Sequence, residues 1–218
     1  RLHSYGYNTY WKVLNAKNYG IPQNRERVYL IIIKKELDNG LFKFPQEVNN
    51  RARLKDILDE QVEENFYIDN DKCNKIFQML KEKGYNNIRV VDRNSKLIYD
   101  DTKSEEFGGG KVYDICPTLR SSRYGHKVID SSNLCRIRKL TPKECYRLMG
   151  FSDMDFEKAE KVVSNSQLYK QAGNSIVVDV LFYILIEMYK AMPYLFVDIK
   201  LGSFFSGIGA FEKALDKL

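Results

Sequence analysis

Phe196-Val-Asp-Ile-Lys-Leu-Gly-Ser-Phe-Phe205, continued by Ser-Gly-Ile-Gly-Ala210 and Phe211-Glu-Lys-Ala-Leu215, is the stretch on which the fold class depends. Its β-branched and aromatic residues give a strand pattern, the glycines give a turn, and the residues from Phe211 start a helix. A strand, a Gly207-x-Gly209 turn and a helix in succession have the mechanics of a nucleotide-type cofactor site. Small residues let the backbone approach a ligand, and the N–H groups at the helix start face it. An ordinary tight connection uses the same residues, so on mechanics alone both readings stand.

Immediately upstream, Pro193 breaks a long apolar helix that runs to about Met192 and is capped by Asn174 or Ser175. A shorter helix over 166–172 precedes it and is closed by Gly173. At Thr141 the local signals agree. Thr141 is an N-cap, Pro142 suits the first helical position and Glu144 completes a capping box, so a helix runs from Pro142 to Met149 and ends at Gly150. Residues 41–110 are more polar, with helices predicted at 52–59 and 71–83 and a Gly108-Gly109-Gly110 run. Nearer the N-terminus, residues 9–16 and 28–33 read as two strands, the second (Val-Tyr-Leu-Ile-Ile-Ile) buried on both faces.

The 218 residues are 44% hydrophobic, ample for a core, and 35 Lys and Arg against 29 Asp and Glu give a net charge of +6. From Lys111 to Arg147 there are nine Lys/Arg and three Asp/Glu, which fits a polyanionic partner or a solvated basic face. Cys73, Cys116, Cys135 and Cys145 show no paired spacing, and with only His3 and His126 beside them no ordinary metal set is expected. No apolar run approaches the roughly 20 residues of a membrane span. The expected setting is therefore cytoplasmic, with neither membrane nor metal as partner.

Two further segments carry candidate chemistry. Gln171-x-Gly173-Asn174-Ser175 offers an amide and a hydroxyl at a helix junction, or a simple cap. Gln23-Asn-Arg-Glu-Arg27 leads into a strand with Gln23, Arg25 and Arg27 on one side at period two, suited to an ion pair or to an anion or carbonyl oxygen.

Taken together, these segments resemble the bacterial DNA cytosine-5 methyltransferase family. Tyr19-Gly-Ile-Pro-Gln-Asn-Arg-Glu-Arg-Val28 is similar to motif VIII, and Arg138-Lys-Leu-Thr-Pro-Lys-Glu-Cys-Tyr-Arg-Leu-Met-Gly-Phe151 to motif IX. Gln171-Ala-Gly-Asn-Ser-Ile-Val-Val178 resembles motif X, and Phe204-Phe-Ser-Gly-Ile-Gly-Ala-Phe211 resembles motif I. Here motif I follows motif X, so the family's usual order is permuted. The Pro-Cys nucleophile and Glu-Asn-Val motifs are absent, and Cys116 precedes its proline rather than following it.

The resemblance implies an α/β, Rossmann-like S-adenosylmethionine methyltransferase core, partial in this chain, with an inserted α+β recognition domain. Residues 1–45 would belong to the core, 46–134 to target recognition, 135–195 to the returning helices and 196–218 to the motif I unit. In the family reaction a cysteine thiolate adds to carbon 6 of a flipped-out cytosine, a glutamate assists at the ring nitrogen, and carbon 5 takes the methyl group. Arg27 would hydrogen-bond the exocyclic oxygen of the base, with Gln23 and Arg25 bracing the site. Phe205 would stack on the cofactor's adenine. Ser206, Gly207, Ile208, Gly209 and Ala210 would admit its methionine part, and Asn174 and Ser175 would contact it from the side. Thr118-Leu119 resembles the family's recognition-domain pair, and with Gly109, Lys111, Arg120, Ser122, Arg123 and Tyr124 it would meet double-stranded DNA. A second polypeptide or missing segment would supply the absent motifs, in a bacterial or phage restriction–modification setting. A non-catalytic DNA-binding subunit, or an inactive fragment, is the alternative.

Overall fold

A computed structural model describes residues 2–48, 52–85, 96–100, 110–121, 126–130, 136–204 and 206–218. Strands β1 (Tyr7–Asn15) and β3 (Glu26–Lys34) form an antiparallel pair in register from Tyr7↔Lys34 to Asn15↔Glu26. Between them the chain makes a 3-10 turn at Ala16–Tyr19, passes through left-handed Gly20, and forms the two-residue strand β2 (Gln23–Asn24).

A four-stranded antiparallel sheet lies in the middle of the chain. Its strands are β4 (Leu97–Asp100), β5 (Lys111–Tyr113), β7 (His126–Asp130) and β8 (Arg136–Lys139), in the order β5-β4-β7-β8. The short strand β6 (Cys116–Pro117) leaves this unit and pairs in parallel with β2. Helix α1 (Asn70–Glu82), capped by the Asp69 side chain on Lys72 N, covers one sheet face by burying Cys73, Ile76, Phe77 and Leu80 against Tyr99, Ile129 and Ile137. Successive strand residues point to opposite faces. Ile98 and Val128 therefore point the other way, into the main core with Leu14, Ile33, Leu148, Met149, Leu168, Val178 and Leu181.

The remaining helices are α2 (Pro142–Arg147), α3 (Asp153–Glu160), α4 (Asn165–Asn174), α5 (Val178–Ala191) and α6 (Ala210–Asp216). Helix α2 starts with the capping box expected at Thr141, whose side chain accepts from Glu144 N. Glu144 does more than cap. Wholly buried, it takes both guanidinium nitrogens of Arg138 at 2.8 and 2.9 Å and also accepts from the backbone N–H groups of Thr141 and Asp59. A buried carboxylate survives only with its lone pairs filled. These bonds lock the 52–60 segment onto α2.

That lock explains one departure from expectation. In place of a helix at 52–59 there is a single 3-10 turn, Leu54–Asp56. Asp59 N is bonded to Glu144, and Ile57 O and the Asp59 carboxylate accept from Arg147, so the backbone groups that would continue a helix are used elsewhere. A second departure concerns β3, which is not buried on both faces. Tyr29 and Ile31 are half-buried against the core, but Val28, Leu30 and Ile32 are exposed, as are their opposite numbers Val13 and Trp11. Among the described residues nothing covers that face.

Third, 197–204 is not a strand. Pro193–Phe196 forms a 3-10 turn, Asp198 has a left-handed φ of 64°, and Val197, Ile199, Leu201 and Phe204 are exposed. A strand needs a ladder partner, and among the described residues none lies beside this segment. Fourth, α4 runs through Gly173 to Asn174, with Ser175 as its C-cap, and α5 starts at Val178 after the N-cap Val177, which gives no side-chain cap. The stretch Asn165–Ala191 is also long and apolar enough, by length and composition, to cross a membrane, contrary to the expectation that no such run exists. The chain turns at Ser175–Val177 and buries Leu168, Val178, Leu181 and Ile184, the pattern of helices serving a core.

Candidate functional site

Gln23 is wholly buried, and both ends of its amide are used: Nε2 donates to Leu148 O at 2.8 Å and Oε1 accepts from Leu119 N at 3.1 Å. Arg25, 4% exposed, donates through Nη1 to Leu119 O at 3.0 Å and through Nη2 to Gly173 O and Ser175 O at 3.0 and 2.8 Å. Burial, helped by the nearby charge of Arg27, lowers its guanidinium to about 10, so it stays charged at neutral pH. These two side chains join β2, the irregular segment that follows β6, the end of α2 and the α4–α5 junction. Thr118 adds a bond from its hydroxyl to Asn24 O at 2.8 Å.

The same junction explains Gly173. A Cβ there would sit 2.5 Å from Ser121 N and 2.6 Å from the carbonyl carbon of Arg120, so only glycine lets α4 approach that backbone. Leu119 is buried in the core, and both of its backbone polar groups are taken by Gln23 and Arg25. Lys111 is exposed on β5, while Arg120 is half-buried beside His126 and Lys139. Gly109, Ser122, Arg123 and Tyr124 lie outside the described residues.

Arg27 differs from its neighbours in being exposed; its Nη1 donates to Glu26 O at 2.6 Å. With Arg25 it borders an open cavity of about 550 Å³ that is lined by β3 from Val28 to Ile32 and by Leu181, Ile184 and Met188 of α5. Asn174, Ser175, Ile176 and Phe211 line this cavity and also a second one of about 500 Å³, whose other walls are Gln167, Lys170 and Gln171 of α4 and Ser206, Gly207 and Ala210. The glycine turn, the α4–α5 junction and the arginine strand thus border two neighbouring cavities that share Asn174, Ser175, Ile176 and Phe211.

Gly207 and Gly209 have φ of 60° and 78°, a conformation that L side chains rarely adopt, and Gly209 N closes the turn on Ser206 O at 3.0 Å. Ser206 and Gly207 are exposed, Ile208 is half-buried, and Ala210 is buried at the start of α6. Asn174 is exposed, and Ser175 is buried with its hydroxyl donating to Ile176 O. Phe205 lies outside the described residues. Phe211, Gln167 and Lys170 were not singled out from the sequence. The helical spacing of Gln167, Lys170, Gln171 and Asn174 contains the two α4 residues, but as a signal it is complete only once the facing turn is known.

Three cysteines are described, Cys73, Cys116 and Cys145, and all are buried. Burial pushes the Cys116 and Cys145 thiols far above their ordinary value, the reverse of what a thiolate nucleophile needs. Cys135 lies outside the described residues.

The family model described as C-5 cytosine-specific DNA methylase matches residues 1–190, ending before the glycine turn. The chain is 38% identical over 190 residues to the type II methyltransferase M2.ScrFI of Lactococcus lactis subsp. cremoris, covering 87% of this chain and 48% of that protein. It is 34% identical to M.Bsp6I of Bacillus sp. (strain RFL6), covering 88% and 58%, and 35% identical to M.HhaI of Haemophilus parahaemolyticus, covering 82% and 52%. The chain therefore spans about half the length of the curated relatives it matches. Among solved structures it superposes on the Entamoeba histolytica methyltransferase EhMeth with a TM-score of 0.55 at 18% identity, covering 92% of this chain and 57% of that one. The S. pombe Dnmt2 methyltransferase gives 0.54 at 19%, covering 86% and 58%. Those likenesses speak for the α/β methyltransferase fold, and the family match speaks for more: this chain belongs to the C-5 cytosine-specific DNA methylase family.

Proposed function

We propose that the chain is part of a DNA cytosine-5 methyltransferase, supplying one wall of the S-adenosylmethionine site, the arginine that meets the target base and a DNA-recognition unit. The observation that carries this reading is that Ser206–Gly207, Asn174–Ser175 and Arg27 border two neighbouring cavities that share Asn174 and Ser175. The residues present fit the cofactor. The turn is bare backbone at Gly207 and Gly209, Asn174 offers an exposed amide, and about 500 Å³ is in the range of small-molecule sites. Phe205, Ile208 and Ala210 complete the set. When bound, S-adenosylmethionine supplies the methyl group.

Gln23 and Arg25 act as positioning residues. Their bonds to Leu148, Leu119, Gly173 and Ser175 fix the wall from which Arg27 projects. Arg27 keeps donors for the exocyclic oxygen of a flipped-out cytosine and stabilises charge growing there as a thiolate adds to the ring. That thiolate and its glutamate partner come from a segment bearing the Pro-Cys and Glu-Asn-Val motifs, either a second polypeptide or a further part of the same protein, with the motif order permuted. The recognition unit spans about residues 46–134, and β8 extends its sheet to Lys139. There Lys111, Thr118 and Arg120, with Gly109, Ser122, Arg123 and Tyr124, meet double-stranded DNA, while Leu119 anchors the segment. The setting is bacterial restriction–modification in the cytoplasm.

The test mixes the chain with a polypeptide carrying the missing motifs and a duplex containing 5-fluorocytosine. A covalent protein–DNA adduct is expected. Salt-sensitive duplex binding with no adduct under any pairing would overturn the catalytic reading in favour of a DNA-binding module.

A further inference from the structure

Helix α4 turns Gln167, Lys170, Gln171 and Asn174 toward the cavity that faces the Ser206–Gly207 turn. This spacing of three, four and seven residues is one helical face. Among the described residues lining that cavity, Lys170 is the only ionisable one. It is exposed, and among the described residues it has neither a carboxylate within ion-pair distance nor a hydrogen-bond acceptor.

Its neighbour Gln171 is fixed. The Tyr146 hydroxyl donates to Gln171 Oε1 at 2.8 Å, and Tyr146 is itself held in the core against Phe151 and Phe156. An amide whose oxygen already accepts in this way keeps both of its N–H donors for a ligand. One wall of the cavity therefore presents a cation beside an oriented donor, with no acidic lining residue to compete. That is a setting for an anion with planar oxygens.

We propose that Lys170 and Gln171 form a carboxylate subsite that takes the amino-acid end of the cofactor. The inference rests on the cofactor reading above and deepens it. The carboxylate is the one anionic group of S-adenosylmethionine, so the subsite decides which end of the ligand lies against α4, and it selects for ligands that carry an amino-acid tail.

Two uncharged-thioether probes separate the possibilities. S-adenosylhomocysteine carries the amino-acid carboxylate, whereas 5′-methylthioadenosine keeps the adenosine thioether and lacks it. By titration calorimetry on the full chain, Lys170→Gln should weaken S-adenosylhomocysteine about tenfold and leave methylthioadenosine within about twofold, as the loss of one charge-assisted hydrogen bond predicts. Lys170→Arg should restore most of the difference. Equal losses for both probes, or no loss for either, would overturn the subsite while leaving the cofactor site standing. A fall in duplex-DNA affinity with unchanged S-adenosylhomocysteine binding would also overturn it and assign Lys170 to a backbone phosphate. If the unsubstituted chain binds neither probe even when joined to the segment with the missing motifs, the cofactor reading itself fails and the subsite goes with it.

Discussion

The wall built around Arg25 and the wall built from the Ser206–Gly209 turn meet at Asn174 and Ser175, yet they are made in opposite ways. On the first, side chains almost without exposure reach backbone groups far along the chain: Arg25 bonds to Leu119, Gly173 and Ser175, which lie 94, 148 and 150 residues away. On the second, the turn closes on itself, and the 197–204 segment leading into it is exposed. Its strongest tethers among the described residues lie downstream, in α6. Ala210 and Ala214 of α6 are buried, Lys213 pairs with Asp155 at 2.8 Å, and Lys217 pairs with Asp179 at 2.8 Å. The first wall is thus shaped by the whole fold, while the second is shaped by local backbone geometry plus one docked helix. Substitutions on the first should register as stability, and those on the second as ligand affinity.

The largest expected effect tests the first wall directly. Arg25→Ala would leave three carbonyls in a buried junction without their charged donor and should cost about 4 kcal/mol, measured as a shift in the urea unfolding midpoint of the full chain. A loss below about 1 kcal/mol would show that water or a neighbour replaces the guanidinium, and the contrast between the walls would disappear. Arg27→Ala should act in the opposite sense. Being exposed, Arg27 contributes little to folding, so stability should move by less than about 0.5 kcal/mol. Methyl transfer by the chain joined to a segment with the missing motifs should nevertheless fall about a hundredfold. Equal losses of transfer rate and DNA affinity would refute its placement against the base.

Next comes Gly173→Ala. The added methyl group would meet backbone rather than a flexible side chain, with Ser121 N only 2.5 Å away, so α4 and the Arg120–Ser121 segment must separate. Overpacking of this kind costs about 2 kcal/mol, readable by thermal unfolding, and it should also weaken duplex binding because the displaced segment leads into the recognition residues. Unchanged stability would mean that this junction yields easily, making it the soft wall.

How much of this was legible in the sequence follows the same division. The Thr141 capping box was readable because its parts lie within four residues, and α1 because its N-cap and apolar face are local. Arg25 as a bridge was not, since its partners are carbonyls, which leave no mark in composition, and they sit far along the chain. The strand read into 196–205 failed for a related reason: β pattern is a statement about partners, and among the described residues none pairs with it. The outer face of β3 misled in the same way, its apolar residues being exposed rather than buried. Resemblance, not periodicity, brought Asn174, Ser175, Gly207 and Arg27 into one expectation. It gave no role to Gln167, Lys170 or Phe211, which line the cavity beside the turn.

A small effect on stability, with a selective one on the second wall, belongs to Gly207→Ala. A methyl group there would meet no atom within 4 Å, so nothing clashes; the remaining penalty is the left-handed φ of 60°, about 1 kcal/mol for an L residue. Part of that would be relieved by the exposure of the turn, so the unfolding midpoint should barely move. Affinity for S-adenosylhomocysteine should fall several-fold all the same, because Gly207 lines the cavity and its bare backbone is what admits the ligand. The two readouts therefore separate in the direction opposite to Arg25→Ala. Should Gly207→Ala destabilise the chain by as much as Gly173→Ala while leaving the ligand untouched, the turn would be a folded connection and not a wall of the site.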